Sequence, residues 1–152
     1  MANIIKPSIE CWVLAERLSL KASVLLLHAE AKEEHPAFWQ PITGGMELGE
    51  TAEQACLREV CEETGLVLEA SALVPLEQTF DVPVYQELTI HKTVFLAVAP
   101  NQQVQLSDEH IGWQWVPFGQ AKERLYWPSN HATYRIVEQA IAGEGAKNDL
   151  SD

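Results

Sequence analysis

An α/β fold is predicted by three observations in the 152-residue chain. Short β-rich segments recur through both halves, the stretch from Glu50 to Thr64 contains neither Pro nor Gly, and a second helix-spaced apolar stripe lies near the C-terminus. In order, Ser8 to Leu14 alternates Ile9, Cys11 and Val13 as a half-buried strand does. Ala22 to His28 is a nearly continuous apolar run, suited in length to a buried strand, although periodicity alone leaves a short helix open. Ala29 to Pro36 is polar and reads as a loop. Phe38 to Gly45 reads as an extended piece entering a Gly-Gly turn.

From Glu50, residues Leu57, Val60, Cys61 and Thr64 recur at helical spacing, and Gly65 supplies the stop. Cys56 and Cys61 lie on this helix without a base or orienting partner, so both read as small packing residues. Val67 to Leu76, Thr79 to Tyr85 and Glu87 to Val98 are β-rich. Val104 to Leu106 and Trp113 to Val116 frame a polar loop as strand, loop, strand. Pro117 opens a helix through Arg124, and Tyr134, Val137 and Ile141 mark a last helix ending near Ala142. The expected organisation is one domain over residues 1–142 with a flexible tail over 143–152.

Composition bounds the function. The chain is 47% hydrophobic, enough for a core at this length, and no apolar run approaches the 18 or so residues of a bilayer span. Three cysteines and no charged-then-apolar leader imply a reducing, cytoplasmic setting. Ten Lys and Arg against 22 Asp and Glu give a net charge of −12, a field that repels nucleic acid polymers and anionic lipid. Small molecules are therefore the expected partners, with the chain a monomer or homodimer.

The acid is concentrated. Gly44 to Leu66 reads GGMELGETAEQACLREVCEETGL and carries six Glu against one Arg. On a helix, Glu62 and Glu63 stand three and four residues from Glu59, so the three carboxylates crowd one face and repel. Oxygen-only donors with no His or Cys expected nearby favour a hard divalent ion, Mg²⁺ first and Mn²⁺ as its substitute. Solvated surface glutamates are the plainer explanation. Against it stand the Gly-Gly pair before the helix, Glu50 at its start, and Arg58 where it can pair with Glu50.

The segment resembles the Nudix box throughout: Gly44, Glu50, Arg58-Glu59, Val60, Glu62-Glu63, Gly65 and Leu66 stand at the box spacings. A chance match at these positions has a probability of roughly 10⁻⁷. The resemblance implies an α/β/α sandwich with a mixed central sheet and a loop–helix–loop catalytic element. It also implies hydrolysis of a nucleoside diphosphate linked to another group. Carried over residue by residue, Glu59, Glu62 and Glu63 bind the metal with a carbonyl of Gly45 or Gly44, and Glu62 is also a candidate base. Glu50 and Arg58 form a structural ion pair, while Gly44 and Gly65 shape the element.

Outside the box, Glu109 in LSDEHIGWQW is expected to return toward the helix as a further base or ligand, and its neighbours Asp108 and His110 are weaker candidates. Phe38 and Trp39 are candidates to stack on a substrate base, against a plainer role in the core. Lys92, like Arg17, Lys21, Lys32 and Arg135, reads as a solvated surface charge. The flanks resemble the branch holding dihydroneopterin triphosphate pyrophosphatase and dATP pyrophosphohydrolase, but the segment from Glu77 to Val98 is short and has Lys92 as its only cation. A (deoxy)nucleoside triphosphate cut to monophosphate and pyrophosphate is the first expectation. The alternatives are a diadenosine tetraphosphate-type hydrolase and a catalytically silent nucleotide-binding module.

Overall fold

The computed structural model describes residues 4–150. Its frame is one mixed sheet in which β1 (Ile4–Ala15) is the hub. β1 runs parallel to β6 (Leu88–Ala99) over its whole length and antiparallel to β4 (Ile42–Gly45) along Ser8–Cys11, and it meets β2 (Ser23–Ala29) at Leu14 and Val24. β3 (Phe38–Gln40) and β7 (Gly112–Pro117) flank β2, and β5 (Leu73–Tyr85) lies outside β6. Pro41 has no N–H to donate, and the chain changes neighbours there, from β2 to β1.

Both faces of β1 are covered, so its pattern is more than alternating. Ile9, Cys11 and Val13 pack under α1 (Ala52–Thr64) with Ala55, Cys56 and Val60. Trp12 and Leu14 pack on the other face against Tyr134, Val137 and Ile141 of α3 (Pro128–Leu150) and Phe118 of the short α2 (Phe118–Ala121). This is the α/β/α sandwich with a mixed sheet. No helix among the described residues is long and apolar enough to cross a membrane.

Several elements differ from the expectation. Residues 67–72 form no strand, and β5 starts at Leu73 and continues through Tyr85, with a register shift between Pro75 and Thr79. Prolines 75 and 83 are tolerated because β5 lies at the sheet edge. Val104 to Leu106 is not a strand: Gln105 donates its N–H to the Thr64 carbonyl at 2.9 Å, tying this segment to the end of α1. The expected helix after Pro117 is one α turn followed by a 3₁₀ turn at Lys122–Arg124. The last helix passes Ala142 and reaches Leu150, since the glycines beyond it cost only about 1 kcal/mol each and no Pro intervenes. Ser151 and Asp152 lie outside the described residues. Cys61 is exposed and does not pack, whereas Cys56 is buried.

The ends of α1 are fixed by local chemistry. The Thr51 side chain accepts from the Gln54 N–H while the Gln54 side chain accepts from the Thr51 N–H, a reciprocal capping box. Gly65, at φ 75°, turns the chain out of the helix in the left-handed region. Thr51→Ala is therefore expected to lower unfolding free energy by about 1 kcal/mol, measured by urea titration; an unchanged midpoint would show that tertiary packing alone sets this end.

Candidate active site

The buried stripe of α1 is Ala55, Cys56, Glu59, Val60, Glu63 and Thr64. Two carboxylates thus continue the face that packs on the sheet, and Glu59 and Glu63 are 9% and 4% exposed. Surface glutamates would not be buried in this way. Glu62 lies beside them with its side chain half exposed.

Arg58 organises one half of the cluster. Its Nε and Nη2 donate to the two oxygens of Glu50 at 2.7 and 2.9 Å. Nη1 donates to Glu59 at 2.8 Å and to Glu62 at 3.1 Å, and Nη2 also donates to the Gly45 carbonyl at 2.8 Å. A guanidinium presents five donors in one plane, which suits this sharing. Arg58 and the Glu47 N–H together hold the Glu50 carboxyl down at about 2. Burial pushes Glu59 upward against the pull of Arg58.

The other half gathers on Glu63. Ser107 Oγ donates to it at 3.1 Å, and His110 Nδ1 lies 2.8 Å away, off the hydrogen-bond axis. Gln40 Nε2 lies 3.1 Å from His110 Nε2. With the amide donating there, the ring proton sits on Nδ1, toward Glu63. Burial raises Glu63, yet His110, Glu109 and Ser107 outweigh it and the net shift is downward. Glu109 moves the other way, because the Glu63 carboxylate beside it raises it. The loop before β7 therefore brings Glu109 and His110 to α1, whereas Asp108 only lines the hollow beside them.

Gly44 is required by close approach. A Cβ there would lie 2.1 Å from Glu59 Cδ, so the backbone gives its space to the carboxylate. Gly45, by contrast, has nothing within 4 Å of an added Cβ.

Among the described residues, no three His, Cys, Asp or Glu side chains are arranged to hold a metal ion. The expected ligand set of Glu59, Glu62, Glu63 and the Gly45 carbonyl does not converge, because Arg58 takes Glu59, Glu62 and Gly45 while Glu63 turns to His110. The donor chemistry nevertheless fits a hard cation. Glu59, Glu62 and Glu63 bring carboxyl oxygens together on one side of α1, with Glu59 raised chiefly by burial and Glu109 by the Glu63 charge beside it.

The two aromatic candidates separate. Phe38 lines the hollow that also contains Gln40, Thr43, Glu109 and His110. Trp39 does not line it: the ring stacks on His28 at 4.3 Å, with the Arg124 guanidinium over it at 5.5 Å. Lys92 is not a solvated charge, for its side chain is 12% exposed and donates to the fully buried Glu10 at 3.1 Å. Sequence reasoning missed Glu10, Gln40 and Ser107. Glu10 carries a signal of its own, an acid between the apolar neighbours of a buried strand; Gln40 and Ser107 carry none.

The sequence model of the NUDIX domain matches residues 6–137. Dihydroneopterin triphosphate diphosphatase of Escherichia coli K12 is 29% identical over 96 residues, covering 56% of this chain and 64% of that protein. The chain thus spans under two-thirds of that relative. The asymmetrical bis(5'-nucleosyl)-tetraphosphatase of Caenorhabditis elegans is 34% identical over 106 residues, covering 68% of this chain and 73% of its own. The solved structure of the E. coli dihydroneopterin triphosphate pyrophosphohydrolase superposes with a TM-score of 0.72 at 25% identity, over 93% of this chain and 99% of the other.

Two measurements check this geometry. Gly44→Ala is expected to cost about 1–3 kcal/mol in urea unfolding while Gly45→Ala costs less, and equal effects would contradict the packed Glu59 carboxylate. Glu50 is lowered in the folded state, so its stabilisation is complete above its ordinary value near 4.5 and is lost as pH falls through about 2. Glu50→Gln should flatten the fall of the thermal midpoint across that window.

Proposed function

Because the chain belongs to the Nudix family, we propose that it is a divalent-cation-dependent pyrophosphohydrolase cleaving a (deoxy)nucleoside triphosphate or a related nucleoside diphosphate derivative to a monophosphate and pyrophosphate. One observation carries this reading: Glu59, Glu62 and Glu63 share one side of α1, and Glu109 comes from a distant loop to stand beside Glu63. Nothing in the packing of the sheet requires four carboxyls in one place.

Mg²⁺, with Mn²⁺ as a substitute, would be held by Glu59, Glu62 and Glu63 with the Gly45 carbonyl, and when bound it neutralises phosphate charge and acidifies water. The protein's own part follows from its contacts. Arg58, anchored through Glu50, keeps Glu59 and Glu62 on the side of the Gly44-Gly45 strand end. Ser107 and His110 hold Glu63 in place. Water attacks a phosphorus, the bond from that phosphorus to its bridging oxygen breaks, and the proton of the water passes to a carboxylate. Glu62 and Glu109 are the acceptors, Glu62 because it is the most exposed of the three proposed ligands Glu59, Glu62 and Glu63, and Glu109 because it lines the hollow beside that cluster without being one of them.

The similarity to the tetraphosphatase favours a second reading, hydrolysis of a dinucleoside polyphosphate. A panel of nucleoside triphosphates, dinucleoside polyphosphates, nucleotide sugars and dihydroneopterin triphosphate with Mg²⁺, with products identified, separates the two; no turnover of any member would refute the enzyme reading. Glu62→Gln and Glu63→Gln should each reduce the rate about 100-fold or more with the fold retained by circular dichroism. Millimolar Mg²⁺ should raise the melting temperature of the wild type and raise that of Glu63→Gln less.

A further inference from the structure

The carboxylate cluster is held on its two sides by different means. On one side Arg58 meets Glu59 and Glu62 with a formal positive charge. On the other, Glu63 meets two side chains of the loop before β7, Ser107 at 3.1 Å and His110 at 2.8 Å, and both approach the same oxygen, Oε2. That leaves Oε1 as the oxygen available to a cation. What His110 brings to Oε2 depends on where its ring proton sits, and the group that touches its far nitrogen is Gln40.

β2 brings Gln40 and His110 together. Leu27 pairs with Gln40 of β3 on one side, and His28 pairs with Gly112 of β7 on the other, its carbonyl also accepting from the Ile111 N–H at 2.8 Å. Gln40 Nε2 thereby stands 3.1 Å from His110 Nε2. An amide nitrogen donates and does not accept, so His110 Nε2 takes the acceptor role, and in a neutral imidazole the single ring proton then lies on Nδ1. The other end of the ring requires the same. His110 Nδ1 is buried with no hydrogen-bond partner among the described residues, and a bare nitrogen 2.8 Å from Glu63 Oε2 would set two lone pairs against each other. The side chains of His110 and Glu63 are 7% and 5% exposed, so solvent does not supply the donor instead. A neutral N–H holds the carboxylate in place and leaves its charge whole, whereas an imidazolium would cancel charge that a divalent ion needs.

We propose, resting on the pyrophosphohydrolase reading, that Gln40 is a positioning residue: by donating to His110 Nε2 it holds the ring proton on Nδ1, and the ring, with Ser107, fixes Glu63 through Oε2 and leaves Oε1 for the cation. Gln40 also lines the hollow that contains Glu109. Direct contact with substrate is therefore the competing role, and the two separate in experiment. Acting through His110, Gln40 changes cation affinity with no substrate present. Touching substrate alone, it changes KM and nothing else.

The wild-type protein, carrying nitrogen-15 histidine and stripped of metal, is read by NMR at one mildly alkaline pH, where the ring nitrogen shifts distinguish the two tautomers from the imidazolium. His110 is assigned by the signal missing from His110→Gln. The Nδ1–H tautomer is expected; the Nε2–H tautomer or a doubly protonated ring overturns the proposal, whether or not any variant folds. Gln40→Met and Gln40→Leu remove the donor at similar volume, with folding checked by thermal melts. Both are expected to give mixed His110 tautomers, a Mn²⁺ affinity weaker by about tenfold in a substrate-free paramagnetic titration, and a loss of turnover carried mainly by kcat. In the folded variants, an unchanged Mn²⁺ affinity with a rise in KM alone overturns the proposal. The expected tautomer and Mn²⁺ shift without turnover of any nucleotide would refute the hydrolase reading alone.

Discussion

The Arg58 fork is the interaction on which the candidate site depends. Glu59 and Glu63 lie on the face of α1 that packs against the sheet, where carboxylates are costly unless paired or hydrogen-bonded. Arg58 reaches back along the helix to Glu50 and across to Glu59, Glu62 and the Gly45 carbonyl. A single planar side chain thereby ties the start of α1, the end of β4 and two carboxylates into one rigid piece. A lysine could not replace it, because one ammonium cannot serve these acceptors from a fixed plane.

The second constraint is that β1 has two buried faces. Its odd residues meet α1, and its even residues meet α2 and α3. Ser8 and Glu10 belong to the even set, so an acid here projects away from the carboxylate helix and needs its own donors. Trp12, Lys92 and Asn130 provide them from β1, β6 and α3. The two polar clusters are back to back across one strand, and the hollow along Thr43 and Gly44 joins them at its end.

Much of this was legible in the sequence wherever the signal was local. The helix of Glu59, its glycine stop, and the pairing of Glu50 with Arg58 follow from spacing along one segment. Glu109 was legible through its place in a loop between two apolar pieces, although its position beside Glu63 was not. Errors arose where the partner is remote. Val104 to Leu106 has strand composition, but its backbone bonds to the end of α1. Trp39 takes the plainer of its two readings, packed against the core with His28 and Arg124 on its ring. Lys92 resembles any surface lysine until Glu10, 82 residues away, is placed beneath it.

The sequence by itself determined the family, the α/β class and the carboxylate helix, because these rest on residue spacing within turns and along a helix, where covalent geometry fixes who is near whom. Only the tertiary structure decided that Arg58 occupies the centre of the expected ligand set, that Glu63 turns to His110, and that Glu10 anchors a neutralised lysine in a cavity. Those outcomes depend on which strands become neighbours. The parallel pairing of β1 with β6 joins residues far apart in the chain, and no local pattern encodes the charge that one will find opposite the other.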